Sequence, residues 1–96
     1  MTDTITTLLN KVEALIDCGF VSLSQVGRDI NERRQRVSEW VTAEKRTEPR
    51  ASVYMKLHDW CAEQTKKMCL APKTMQAGYR RAYKEVCERR GNDGRN

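Results

Sequence analysis

Residues 22–42 read SLSQVGRDINERRQRVSEWVT. Three arginines occupy the four positions RRQR (33–36), between two short segments that each carry only a thin apolar stripe. In the first segment Leu23, Val26 and Ile30 recur at helical spacing. In the second only Val37, Trp40 and Val41 do, which makes one narrow helix face. Ser22, with Gln25 three residues on, matches a capping box in which Ser22 accepts from the Gln25 backbone N–H and Gln25 reaches back. The pattern predicts helices over 23–30 and 33–42, the first ended by Asn31, a residue that tolerates the left-handed conformation. Gly27 is costly in mid-helix, by roughly 0.5–1 kcal/mol relative to Ala, so it is expected to mark a close crossing.

Outside this stretch the periodicity is also helical. Ile5, Leu8, Leu9, Val12 and Ile16, with Leu15 beside them, predict a helix over 4–17, ended by Gly19. TAEKRTEP (42–49) reads as a polar loop carrying Lys45 and Arg46, with Arg50 just after it. A fourth helix over 50–67 is expected to bury Val53, Tyr54, Leu57, Trp60 or Cys61, and Met68. After Pro72, a fifth over 73–90 turns Met75, Tyr79, Ala82, Tyr83 and Val86 inward. Strand signals are nearly absent. The expectation is an all-α, compact bundle of about five helices forming a single domain over 1–90, with GNDGRN (91–96) as a disordered tail.

Composition bounds the function. The chain has 96 residues, 39% hydrophobic and 32% charged, enough for one modest core and too apolar for a disordered segment. The net charge is +5, with a pI of about 9.2, which permits a polyanionic partner. That charge is segregated. Residues 1–31 hold two basic and four acidic side chains, a net −2, which leaves +7 for residues 32–96. No apolar run approaches the roughly 18 residues of a membrane span, and the N-terminus lacks a basic segment followed by an apolar one, so a cytoplasmic location is expected. Cys18, Cys61, Cys69 and Cys87 are then expected to be reduced, buried, apolar residues. His58, Cys61 and Cys69 have no zinc-site spacing, so no metal is expected. A nucleophile–base pair, a phosphate-cradling glycine loop and a carboxylate dyad are all missing, and no enzyme, cofactor or small-molecule substrate is expected.

Two short helices separated by a tight turn, the second polar outside its anchor stripe, form the helix-turn-helix pattern. LSQVGRDINERRQRVSEWV (23–41) resembles the motif of the phage repressor and Cro family, also called XRE-like or lambda-repressor-like. Val26 stands where that family has the Leu of its second helix, Gly27 in the small-residue place and Ile30 in the next apolar place. Asn31 holds the turn position, Val37 the Ile/Val anchor of the reading helix, and Trp40, within SEW, the following anchor. The family's Gln at the start of helix two is replaced by Leu23-Ser24-Gln25. Its turn glycine is Asn31, and its Glu-x-Gly after the Trp is replaced by Val41-Thr42-Ala43.

The resemblance implies a transcriptional regulator, most often a repressor, that binds a palindromic operator in double-stranded DNA as a homodimer. The third helix would lie in the major groove, with Arg34, Gln35 and Glu39, then Arg33 and Ser38, at base edges. Phosphates would be held by Ser22, Ser24 and Gln25 at the start of helix two, by Arg36, and by Lys45, Arg46 and Arg50. The basic fifth helix is expected to be either a solvated amphipathic helix or a dimer contact through Met75, Tyr79 and Tyr83. Competing readings keep the helical outline: an antitoxin with a protein partner on the fifth helix, an adaptor that binds protein and no DNA, or an RRQR edge that is merely solvated.

Overall fold

The computed structural model describes residues 3–90, and the expected tail at 91–96 lies outside them. Five helices follow in order: α1 Asp3–Asp17, α2 Leu23–Ile30, α3 Arg34–Val41, α4 Ala51–Cys69 and α5 Lys73–Arg90. There are no strands among the described residues. The all-α class and the five elements match the sequence expectation. The largest boundary difference is α4, which runs two residues further than its periodicity indicated, to Cys69.

α1 forms because Leu8, Leu9, Val12 and Leu15 recur every three to four residues, and all four are buried. It stops at Gly19, whose φ of +86° is the left-handed conformation that closes a helix. There the Gly19 N–H donates to the Ile16 carbonyl at 3.0 Å and the Phe20 N–H to the Leu15 carbonyl at 3.1 Å.

α2 starts at an N-cap. Ser22 Oγ accepts the Gln25 backbone N–H at 3.0 Å. Only that half of the expected capping box is present, because no Gln25 side-chain bond back to Ser22 occurs among the described residues. The helix ends on Asn31 at φ +61°, with the Glu32 N–H on the Gly27 carbonyl (2.8 Å) and the Asn31 N–H on the Arg28 carbonyl (3.3 Å). Only three residues, 31–33, separate α2 from α3. Gly27 explains how so short a turn fits. A Cβ there would lie 2.7 Å from the Glu32 carbonyl oxygen and 3.4 Å from the Arg34 nitrogen. The expected helix crossing is replaced by a tighter contact: what approaches Gly27 is the backbone of the turn and of the first residue of α3.

α1 is the central rod, with α3, α4 and α5 against it; α2 packs on α3 and α4. The main core joins Leu8, Leu9, Val12 and Leu15 of α1 to Val26 and Ile30 of α2, Val37, Trp40 and Val41 of α3, and Val53, Leu57, Trp60, Cys61 and Met68 of α4. Each fully buried aliphatic side chain contributes about 1.5–3 kcal/mol. A small satellite cluster of Ala14, Ala82 and Val86 seats α5 on α1. α4 also fixes α2 by polar contacts. Trp60 Nε1 donates to Asp29 at 2.9 Å, and Lys56 Nζ donates to the Ile30 carbonyl at 3.0 Å, a cation at the negative end of the helix dipole.

The cysteines divide. Cys61 is buried, and burial pushes its thiol pKa up. Cys18 and Cys87 are half-buried, and Cys69, on the last residue of α4, is exposed, which corrects the expectation for that position. No helix among the described residues is long and apolar enough to cross a membrane.

Candidate functional site

α3 is held to the body by the three residues its stripe indicated: Val37 and Val41 are fully buried and Trp40 nearly so. At 100° per residue, Gln35 and Glu39 then stand opposite this stripe, with Arg34 and Ser38 on one flank and Arg36 on the other. Arg33, Arg34, Gln35 and Arg36 are all exposed. None of the four side chains makes a hydrogen bond or ion pair with any described residue. The N-terminal turn of α3 therefore presents three guanidiniums and one amide to solvent around a seated helix, with their donors unspent among the described residues. Such an edge can make bidentate hydrogen bonds to planar acceptors, or single bonds to phosphate oxygens.

Ser38 is less free. It is half-buried, and its hydroxyl shares a hydrogen bond with Thr42 Oγ1 at 2.9 Å. Glu39 is half-buried, and its backbone carbonyl accepts the Thr47 N–H at 3.1 Å, which folds the loop after α3 back along the helix.

The cationic surface continues past α3. Arg33 and Arg36, one turn apart, line a notch of about 630 Å³ with Arg50 and Ser52 from the start of α4. Trp40 and Val53 form part of its wall, and Glu32 and Glu48 stand in the same lining. Arg50 caps α4 without a side-chain hydrogen bond, so the first-turn N–H groups of that 19-residue helix keep their donors open beside the guanidiniums. Ser22, Ser24 and Lys45 are exposed, and Gln25 is half-buried. The start of α2 is thus a second place where backbone donors meet solvent, although Ser22 Oγ already satisfies the Gln25 N–H.

Arg46 requires a correction. Expected at a phosphate, it turns inward: its Nε donates to the Val41 carbonyl (2.9 Å), one terminal nitrogen to Asn10 Oδ1 (2.7 Å) and the other to Glu13 Oε1 (2.7 Å). Burial and the neighbouring Arg90 charge lower its pKa from the ordinary value, and Glu13 works against that shift. An arginine so engaged has no fork left for DNA.

Met75, Tyr79 and Tyr83, read from the sequence both as inward-facing and as dimer contacts, are half-buried. Met75 and Tyr79 pack against the main core, and Tyr83 packs on the Ala14–Ala82–Val86 cluster. Burial raises the Tyr79 pKa from 10 to about 12, which keeps the phenol neutral. The hydrophobic effect favours this placement, because burying the few apolar side chains of α5 helps seat it on α1.

Asn10 and Glu13, both buried, are the polar residues that the apolar stripe of α1 does not single out. The signal is in the wheel: Glu13 lies four residues after Leu9 and three before Ile16, on a face that faces the core. No protein-family model, curated protein or solved structure matches the chain.

Proposed function

We propose that the chain is a sequence-specific regulator of transcription that binds double-stranded DNA, with α3 in the major groove. The observation that carries this reading is that α3 is anchored through Val37, Trp40 and Val41 while Arg33, Arg34, Gln35 and Arg36 stand exposed with no side-chain partner among the described residues. A protein that uses such residues only for solubility has no need to seat them on a short helix behind a turn so tight that it requires glycine at position 27. The likeness of residues 23–41 to the phage repressor and Cro helix-turn-helix supports the same reading.

In this mechanism Arg34 and Gln35 meet base edges, an arginine pairing with guanine O6 and N7 and a glutamine with adenine N6 and N7. Glu39, further along the same face, accepts from cytosine N4 or orients a neighbouring guanidinium. Arg36, Lys45 and Arg50 hold the backbone, helped by the open N–H groups at the starts of α2 and α4. One short reading helix covers only a few base pairs, so a homodimer on a two-fold operator is part of the proposal.

The test is a mobility shift against fragments of the source genome at two salt concentrations. A subset of fragments retained at low salt, with binding that weakens steeply as salt rises, is the expected result, because each phosphate contact releases counterions. If no fragment is retained even at low salt, the protein-binding adaptor is the better reading.

A further inference from the structure

Glu13 lies in the C-terminal half of α1 with its side chain 6% exposed, and three guanidiniums converge on it. Arg46 reaches Oε1 at 2.7 Å, Arg90 reaches Oε1 at 2.9 and 3.1 Å, and Arg89 reaches Oε2 at 3.0 Å. A carboxylate is acceptor-only, and these partners engage both its oxygens, Oε1 with three bonds and Oε2 with one. Arg46 and Arg90 are themselves nearly buried, with side chains 12% and 13% exposed. Arg89 is half-exposed and also approaches Asp17 at 3.5 Å.

What the two buried guanidiniums do with their remaining donors is informative. Arg46 Nε bonds the Val41 carbonyl, and one Arg90 terminal nitrogen bonds the same carbonyl at 2.9 Å. The other Arg90 terminal nitrogen bonds the Ala43 carbonyl at 2.8 Å and the Glu44 carbonyl at 3.1 Å. Val41 is the last residue of α3, and its carbonyl has no partner within the helix. Two positive charges thus sit on the negative end of the α3 dipole, and both are tied to one anchored carboxylate on α1.

We infer that Glu13, Arg46 and Arg90 form a latch that fixes the carbonyl end of α3 and thereby sets the angle at which its exposed edge is presented. The three are positioning residues: Arg46 and Arg90 touch the end of α3 from the interior, Glu13 holds those two in place, and none belongs to the edge that meets a ligand. The functional half of this inference rests on the DNA-reading role proposed above, and the structural half does not. A buried ion network is poor at adding net stability, since desolvation of its charges offsets their attraction, but it is strict about geometry. α3 has only three core side chains, along one stripe, and without the latch that stripe permits rocking about its own line. The latch also gives the basic end of α5 a role other than solvation or dimer contact.

The experiment compares the full-length wild type with Arg90→Met, with the triple variant Glu13→Leu, Arg46→Met, Arg90→Met, and with Val86→Ala, which weakens the seat of α5 without touching the latch. Native-state amide exchange is measured at Thr42 and Ala43, whose N–H groups bond the Ser38 carbonyl at the end of α3, and at core amides of α1. The ratio of specific to non-specific DNA affinity is measured in parallel.

The expected result is at least about tenfold faster exchange at Thr42 and Ala43 in both latch variants, beyond any change in α1, as loss of charge-assisted bonds at a helix end implies. The affinity ratio is expected to fall several-fold in those variants and to hold in Val86→Ala. Because the triple variant replaces all three charged latch residues with apolar groups and leaves no buried charge of the latch unpaired, it keeps the test alive if Arg90→Met alone does not fold. Exchange that speeds uniformly over α1 and α3, or that matches Val86→Ala at equal stability, overturns the latch. If wild type binds no DNA, the regulator reading fails, and the exchange pattern alone decides the latch. Localised exchange with an unchanged affinity ratio leaves α3 fixed by the latch but overturns its role in presentation.

Discussion

The edge of α3 and the end of α5 are both rich in arginine, and they treat their charge in opposite ways. Arg33, Arg34 and Arg36 stand in solvent with no partner among the described residues, whereas Arg90 is nearly buried and reaches a carboxylate and three carbonyls. The side chain is the same in both places. What differs is whether an acceptor waits inside the fold: Glu13 and the open carbonyls after α3 supply several, while the stripe under α3 offers only Val37, Trp40 and Val41. A cationic cluster acquires its role from the acceptors it faces, and a partner outside the chain is needed only where none lies within it.

The largest effect that sharpens this contrast is expected at the anchor. Glu13→Ala leaves Arg46 and Arg90 facing each other without their carboxylate, and breaking a buried pair from one side costs about 3–5 kcal/mol. Urea denaturation measures this, and a loss below about 1 kcal/mol would place the network among surface ion pairs. Next is Gly27→Ala. Alanine is the better helix former by up to about 1 kcal/mol, but its Cβ would meet backbone at 2.7 Å in a turn with no room to move, so net destabilisation of about 1–3 kcal/mol is expected. A stabilised variant would mean the turn is looser than this geometry. The smallest effects belong to the exposed edge. Arg34→Ala and Gln35→Ala are expected to leave stability within about 0.5 kcal/mol of wild type, as exposed residues without partners do. A larger loss would show that the edge is structural.

Much of the fold was legible in the sequence because helices obey a local rule. The stripes of α1, α2 and α3, the Ser22 cap, and the left-handed ends at Gly19 and Asn31 depend on residues within a few positions of one another. The seating of α3 was equally legible, since Val37, Trp40 and Val41 have no alternative face. The fate of Arg46 was not. Its partners Asn10 and Glu13 lie 36 and 33 residues away, and a polar loop that holds one inward arginine looks no different from one that holds none. Arg90 was hidden for the same reason, 77 residues from Glu13. Met75, Tyr79 and Tyr83 show the converse: an apolar stripe states that a face is covered, and it does not state by what.

The central claim, that the outward edge of α3 reads DNA, is tested most directly by separating base contacts from phosphate contacts on one selected duplex and one scrambled duplex. The double variants Arg34→Ala/Gln35→Ala and Lys45→Ala/Arg50→Ala are compared with wild type by fluorescence anisotropy at fixed salt. The first is expected to lose the difference between the two duplexes, about 1–3 kcal/mol for each good bidentate contact, while still binding both. The second is expected to bind both more weakly and to keep the difference. Identical behaviour of the two double variants, or a preference undiminished in Arg34→Ala/Gln35→Ala, would contradict the assignment of α3 as the reading helix.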